Sequence, residues 1–189
     1  MEHIVTFTGE EFTPLDPDIN RIHIEDLAHS LSLLCRANGH IDRFFSIAQH
    51  SINCTNEAKA RGHSAKIQLA CLIHDGSEAY ISDVTRPVKY YLSEYKVIEK
   101  RLQDIIYTRF LGVQPDASEH SYIEQIDNDM LVCEFDVLSK NKMLLGSYKK
   151  ELPVLQSNPS FDTRNFTEVE TEFLKVYYGV MHAGLIQGR

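Results

Sequence analysis

The sequence predicts an all-α fold, a bundle of six or seven helices with a small β-hairpin at its N-terminus. Across most of the chain, apolar residues recur every three or four positions, which is the period of an amphipathic helix. Gly and Pro residues separate these periodic stretches. Only residues 4–13, where bulky apolar residues and threonines surround Gly9, are typical of two short strands.

The periodic stretches and their end signals give the order of the helices. Acidic residues in the first turn, a serine N-cap and glycines after the last turn mark several of the boundaries. The predicted helices cover residues 24–35, 44–61, 64–81, 87–111 and 123–138, and a last one follows a capping box formed by Thr167 and Glu170.

Length, charge and cysteine spacing narrow the functional classes. The 189 residues suit one domain, with residues 1–20 as an N-terminal arm and residues 140–189 as a C-terminal extension that ends in a helix. The longest aliphatic run, Leu69–Ile73, is far shorter than the roughly 20 residues that span a bilayer. A formal net charge of −8 argues against binding to polymeric nucleic acid. Widely spaced cysteines and an N-terminus unlike a secretory signal predict reduced thiols and a cytoplasmic location.

Two histidines and two aspartates interrupt the apolar stripes of the predicted helices. His74 and Asp75 directly follow the aliphatic run, while His50 and Asp127 lie within the apolar stripes of two other helices. On one continuous helix, Glu78 would share a side with His74 and Asp75. A buried carboxylate needs a cation or a hydrogen-bond partner. Imidazole and carboxylate ligands together indicate a site for a transition metal or Mn²⁺ rather than a thiolate zinc site. We therefore expect a divalent ion between these helices.

Each of these residues also has a simpler interpretation when taken alone. A single histidine on an apolar helix face is usually a hydrogen-bonded core residue. Asp127 alone would be read as a buried, hydrogen-bonded carboxylate or as a residue at the edge of the core. The joint pattern of two imidazoles and two carboxylates is what favours a metal centre.

The order of these four residues resembles that of the HD-domain metal-dependent phosphohydrolases. The resemblance is strongest with the small YfdR-like proteins of phages and prophages, and extends from "TFTGEEF" (6–12) through about residue 138. It is weaker with the YfbR-like 5′-deoxynucleotidases and the DatZ-like phage dATP triphosphohydrolases. The segments that carry it are "RFFSIAQHS" (43–51), "LIHDGSEAYISDVTRPVK" (72–89) and "IEQIDNDML" (123–131).

This resemblance implies a fold and a set of metal ligands. The fold is the HD-domain helical bundle, and the cofactor is a divalent metal ion whose identity among Mn, Co, Zn, Mg, Ni and Fe stays open. The implied ligands are His50, His74, Asp75 and Asp127.

The resemblance also implies residues that act on the substrate. Glu78 would be the acid or base beside the attacking water, and Asp83 a second carboxylate that orients the water or the leaving group. Arg36 and Lys89 would hold phosphate oxygens. Each of the last three has an alternative: Asp83 as a helix cap, Arg36 as a response to a helix dipole, and Lys89 as a solvated surface lysine.

The implied activity is hydrolysis of the 5′ phosphoester of a small nucleotide, most simply a deoxynucleotide. A monophosphate would release phosphate, and a triphosphate would release triphosphate; four basic residues leave the latter open, namely Arg86, Lys89, Lys96 and Arg101. One alternative is a non-catalytic nucleotide sensor that retains a structural metal. Another is a metal that only joins helices. The sequence leaves homo-oligomerisation open.

Overall fold

Helices make up most of the regular structure in the computed structural model, which describes residues 2–140 and 151–187. The all-α prediction with an N-terminal hairpin is therefore confirmed. Two strands, β1 (Ile4–Val5) and β2 (Glu11–Phe12), pair antiparallel. The α-helices among the described residues are α1 (Ile24–Leu33), α2 (Ile47–Ala60), α3 (Ala65–Leu72), α4 (Glu78–Ile81), α5 (Arg86–Lys89), α6 (Ser93–Leu111), α7 (Ala117–Leu138) and α8 (Phe166–Gln187), and short 3₁₀ helices cover Ile19–Arg21 and Arg36–Gly39.

Helix α2 lies at the centre of the bundle and contacts α1, α3, α7 and α8. Every residue from 47 to 55 is buried, so neighbouring elements cover the helix on all sides. Ser46 caps its first turn, and Gln49 completes a capping box with it. Several buried residues of α2 are polar, and each therefore needs a partner inside the protein. These partners define the two regions discussed below.

The N-terminal hairpin is fixed to the helical body by one buried carboxylate and one aromatic contact. Asp26 of α1 accepts hydrogen bonds from the backbone N and the hydroxyl of Thr8, at 2.8 and 3.0 Å. Phe12 is fully buried, and its ring centroid lies 4.3 Å from that of Tyr80. The first strands of the predicted arm thus contribute to the core.

The prediction of one continuous helix over residues 64–81 is wrong, because the chain turns at residues 73–77, between α3 and α4. Gly76 permits this turn because a larger residue would not fit: a Cβ there would lie 2.9 Å from Ile73 O and 3.1 Å from side-chain atoms of α1 and α6. The side chain of Gln103, from α6, accepts from Ser77 N at 3.0 Å and donates to Ile73 O at 2.8 Å. One long-range side chain therefore supplies an acceptor for Ser77 N and a second donor for Ile73 O, which also accepts from Gly76 N at 2.9 Å.

Other predicted helix ends also differ from the structure. The segment predicted as one helix over residues 87–111 forms two, α5 and α6, separated near Tyr90–Leu92. Helix α1 ends at Leu33, because the chain then runs extended and Cys35 pairs with Ser46. Helix α7 begins at Ala117, well before the predicted residue 123.

The capping box predicted at the start of the last helix is also wrong. Helix α8 begins at Phe166, and Asn165 accepts the hydrogen bond from Thr167 N at 2.9 Å. Glu170 instead lies 3.0 Å from the His29 ring nitrogen of α1.

The predicted C-terminal extension contributes to the core through its last helix. Val169 and Phe173 of α8 are fully buried against the helical body. Residues 141–150, which belong to the irregular part of this predicted extension, lie outside the described residues. Across the described ranges, none of the helices combines the length and the apolar character needed to cross a membrane.

Candidate metal centre

Helix α2, the turn after α3 and helix α7 bring the four predicted ligands together. His50 Nε2 lies 3.3 Å from His74 Nε2 and 3.1 Å from Asp127 Oδ1. Asp75 Oδ2 lies 3.3 Å from His74 Nε2 and 4.0 Å from His50 Nε2. Two imidazole nitrogens and two carboxylate oxygens thus surround one small space. The sequence placed these residues on three helical surfaces, and it is the turn at residues 73–77 that directs two of them inward.

The two imidazole rings are oriented by hydrogen bonds at their other nitrogens. His74 Nδ1 lies 2.8 Å from Cys71 O, and because a carbonyl oxygen only accepts, this nitrogen carries a proton. His50 Nδ1 lies 2.7 Å from a carboxylate oxygen of Glu134, which is buried. In their neutral forms, both rings therefore present the lone pair of Nε2 to the shared space. This is the tautomer that a metal-binding histidine uses when its other N–H is held by an acceptor.

The shared space requires positive charge, because lone pairs and carboxylates meet there. Burial disfavours a charged His74, but Asp75 and Asp127 raise its pKa to about 9. Burial and Arg36 oppose a charge on His50, but its acidic neighbours raise its pKa well above the usual value. Burial also opposes the charge of Asp127, yet its hydrogen bonds with the two imidazoles lower its pKa. Either protons on the imidazoles or a metal ion would supply this positive charge.

The thiol of Cys54, one turn after His50, lies beside this space. Together with the two imidazoles it forms a group of three candidate ligand atoms within 4.8 Å of one another. Its sulfur is 3.5 Å from Nε2 and 3.9 Å from Nδ1 of His50. Since these distances are similar, the sulfur lies at the flank of the ring and away from the direction of the Nε2 lone pair. Burial raises the pKa of the Cys54 thiol to about 12.

Glu78 begins α4, is buried, and lies close enough to Asp75 for the two charges to interact. Its Oε2 atom is buried and has no hydrogen-bond partner among the described residues. Burial raises the pKa of Glu78 well above its usual value, and the charges of Asp75 and Asp83 add to this effect. Arg36 and Lys89 act in the opposite direction. The structure therefore brings Glu78 and Asp83 into one electrostatic group.

The two predicted phosphate-binding cations already have acidic partners. Arg36 Nη1 lies 3.3 Å from Asp75 Oδ2, and its Nη2 lies 3.6 Å from Glu134 Oε2. Lys89 Nζ lies 2.5 Å from Glu99 Oε1, and Lys89 is close enough to Glu78 to influence its pKa. Arg36 thus lies at the cluster of predicted ligands, whereas Lys89 pairs with Glu99 and acts on Glu78 through its charge.

Among the other basic candidates, only Arg86 extends toward the predicted ligands. Its Nη2 lies 3.7 Å from Asp127 Oδ2, and the side chain is exposed. Arg101 is directed elsewhere, because its guanidinium bonds Leu15 O and Asp16. Lys96 Nζ lies 3.4 Å from Tyr90 O.

Sequence reasoning missed two residues that support this site, Glu134 and Gln103. Glu134 lies seven residues after Asp127 on α7, so helical spacing places both on one side of the helix and could have identified it. Gln103 gives no such signal, since its partners are backbone atoms exposed by a turn that the periodicity did not predict.

Comparison with known proteins finds two similar bacterial sequences. The chain is 32% identical over 165 residues to the uncharacterized protein YfdR of Escherichia coli K12, covering 87% of this chain and 85% of that protein. It is 35% identical over 109 residues to an uncharacterized protein of Rhodobacter capsulatus, covering 54% and 55% of the two chains. No protein-family model matches the sequence. The similarity to YfdR spans more residues than the predicted range of 6–138.

Proposed function

The chain belongs to the family of Escherichia coli YfdR, and we propose that it is an enzyme, a metal-dependent phosphohydrolase of the HD-domain type. Its substrate would be a small nucleotide, and the bond hydrolysed would be the phosphoester at the 5′ oxygen. This proposal rests on the arrangement of the two imidazoles and two aspartates, together with the buried Glu78 next to them.

The observation that carries the proposal is the convergence of four electron-pair donors. His50, His74, Asp75 and Asp127 would hold the ion, because their Nε2 and Oδ atoms lie 3.1 to 4.0 Å apart in the pairs described above. Two neutral imidazoles with Nε2 lone pairs at this separation repel each other unless a metal ion or a proton lies between them. A divalent ion bound there would act as a Lewis acid toward a phosphoryl oxygen and would make a water molecule more acidic.

Glu78 fits the role of the general acid. Because its pKa is raised, its carboxyl group retains a proton at higher pH than an ordinary glutamate does. Its unpartnered oxygen is available to donate that proton to the departing 5′ oxygen. Asp83 would keep Glu78 protonated through its negative charge. A positioned acid of this kind contributes on the order of 10²–10⁴ to a rate.

Arg36, Lys89 and Arg86 would position the phosphoryl group. Phosphoryl transfer depends mainly on cations placed around the non-bridging oxygens. Arg36 is held from two sides by Asp75 and Glu134, so its guanidinium is already ordered before substrate binds. This ordering reduces the entropy that binding would otherwise cost.

The distribution of cations favours a monophosphate over a triphosphate as the substrate. Two of the basic residues that could have bound a triphosphate have other partners. Lys96 donates to Tyr90 O, and Arg101 donates to Leu15 O and Asp16. Because these two of the four basic candidates are directed away from the predicted ligands, the additional charge of a triphosphate would be less well neutralised than that of a monophosphate. We therefore expect a nucleoside and inorganic phosphate as products.

The test is product identification by chromatography after incubation with ribo- and deoxynucleoside mono- and triphosphates, each with Mn²⁺, Co²⁺ or Mg²⁺. We expect 5′-monophosphates to be hydrolysed. Glu78→Gln should lower kcat by about 10²–10⁴-fold without changing metal affinity, and Glu94→Gln, at an exposed position of α6, should have no effect.

Two outcomes would contradict this function. Nucleotide binding without turnover across the whole panel would indicate a sensor. A melting temperature lowered by chelation, in a protein that neither binds nor hydrolyses nucleotides, would indicate a metal that only joins helices.

A further inference from the structure

Glu134 is a fully buried carboxylate that contacts two different parts of the candidate site. Its Oε1 lies 2.7 Å from Nδ1 of His50, and its Oε2 lies 3.6 Å from Nη2 of Arg36. Its side chain is 2% exposed. Arg36 in turn contacts Asp75 at 3.3 Å. A continuous chain of contacts therefore connects His50, Glu134, Arg36 and Asp75.

Each of the two contacts that Glu134 makes has a distinct chemical consequence. By accepting from Nδ1–H, Glu134 selects the His50 tautomer whose Nε2 lone pair points into the shared space, and it increases the basicity of that nitrogen. By pairing with Arg36, the same carboxylate would keep the guanidinium beside Asp75 even when the charge of Asp75 is neutralised by a bound metal ion. The two oxygens of one side chain thus serve a predicted metal ligand and a predicted phosphate-binding cation.

We propose that Glu134 is a positioning residue that fixes the metal-binding tautomer of His50 and holds Arg36 toward the phosphoryl group. The second half of this proposal rests on the proposed function, whereas the first half requires only metal binding. A buried ion pair with a purely structural role would also be destabilising to remove. The experiment must therefore measure something other than stability.

The first measurement is metal affinity by isothermal titration calorimetry with Mn²⁺ and Zn²⁺. Glu134→Ala should weaken binding by about 10–100-fold, as loss of an outer carboxylate does in other metal sites. Glu134→Gln should lie between this variant and the wild type, because its amide oxygen still accepts from Nδ1. Glu57→Ala is the matched control: it removes another fully buried carboxylate, away from the site, and should leave metal affinity unchanged.

The second measurement needs no variant and decides the tautomer directly. In the zinc-loaded wild type, ¹⁵N-detected NMR of the His50 ring should show a protonated Nδ1 and a zinc-bound Nε2. A zinc-bound Nδ1 would overturn the proposal, and so would unchanged metal affinity in a folded Glu134→Ala protein.

The Arg36 half is tested with inorganic phosphate and the zinc-loaded protein. Glu134→Gln should weaken phosphate binding, while Glu124→Gln, at an exposed position of the same helix, should not. Unchanged phosphate affinity would overturn this half alone. Absence of nucleotide hydrolysis would contradict the proposed function but would leave the metal-affinity and NMR results able to decide the role of Glu134.

Discussion

Two adjacent stripes of helix α2 are both buried and both polar, but they satisfy their polar groups in different ways. Gln49, Asn53 and Glu57 occur at intervals of four residues and bond the segment 156–162. The neighbouring stripe contains His50 and Cys54 and lines the candidate metal centre. In the first stripe, Gln49 and Asn53 donate to the segment and Glu57 accepts from it, whereas in the second, His50 Nε2 faces the imidazole of His74 and the carboxylate of Asp127.

We interpret this difference as one between polar residues that stabilise the fold and polar residues of the proposed site. Gln49 Nε2 and Asn53 Nδ2 each donate to a backbone carbonyl at 3.0 Å, and Glu57 accepts from two backbone N–H groups. These partners are complete without any ligand. Around His50, by contrast, the neutral imidazoles and the aspartates offer mostly lone pairs, so an additional cation or additional protons must complete the site. We therefore expect the two stripes to respond oppositely to mutation and to metal.

The largest effect on stability should come from Glu57→Ala. Glu57 is fully buried and bonds Arg61, Gln156 N and the N and hydroxyl of Ser157. Its removal leaves the charge of Arg61 paired with Asp129 alone and leaves the N–H groups of Gln156 and Ser157 without this acceptor. The loss should cost about 3–5 kcal/mol. Urea unfolding measures this loss. Glu124→Ala, at an exposed site, should stay close to the wild type, and a Glu57→Ala protein of wild-type stability would contradict the structural role of this stripe.

The next effect concerns the second stripe and is a gain in stability on adding metal. A ligand that binds only the folded state at a hundred times its Kd stabilises by about 2.7 kcal/mol. We expect Mn²⁺ or Zn²⁺ to raise the melting temperature of the wild type and of Glu57→Gln, but not of Asp127→Asn. The rise should be larger at pH 8 than at pH 6, because protons on the imidazoles compete with the ion. A metal response retained by Asp127→Asn would exclude this residue from the ligand set.

Acid should weaken the first stripe at a defined pH. Burial opposes the charge of Glu57, but hydrogen bonds from Ser157, Gln156 and Arg61 lower its pKa to about 2. Because the folded-state pKa lies below the unfolded value of about 4.3, this contribution is complete above about pH 5 and is lost as the pH falls toward 2. It should amount to about 1.5–3 kcal/mol, the range for hydrogen bonds to charged groups. In Glu57→Gln, the free energy of unfolding should change less between pH 5 and 2.5; an identical slope would refute the assignment.

The sequence predicted the helical class and the central helix, because their signals are local. Buried residues of α2 follow from periodicity, and the serine cap at Ser64 was predicted and is observed. The turn between α3 and α4 could not be predicted in this way, since it depends on Gln103 pairing with Ile73 and Ser77 from a distant helix. Where such long-range contacts override local propensity, periodicity extends a helix too far.

The candidate site shows the same division between local and long-range information. His50, His74, Asp75 and Asp127 were selected because polar residues interrupt apolar stripes, and the structure brings them together. Helical spacing places Glu134 on the same side of α7 as Asp127, but it does not show that Glu134 contacts His50 of α2 and Arg36 of the segment before α2. Stripe patterns identify which residues are buried, but only the folded chain shows which buried groups lack a partner.

The smallest effect should come from Cys54→Ser, which distinguishes the two sets of candidate ligands. If Cys54 were a ligand together with His50 and His74, Co²⁺ would give an intense near-ultraviolet sulfur-to-metal absorption, and serine would abolish it and weaken binding. Because the sulfur lies at the flank of the His50 ring, we expect no such absorption in the wild type and the same Co²⁺ affinity in Cys54→Ser. Asp75→Asn should weaken Co²⁺ binding in the same titration, since Asp75 Oδ2 lies only 3.3 Å from His74 Nε2. A strong sulfur-to-metal band that disappears in Cys54→Ser would show that the thiol, and not the aspartates, decides which metal is bound.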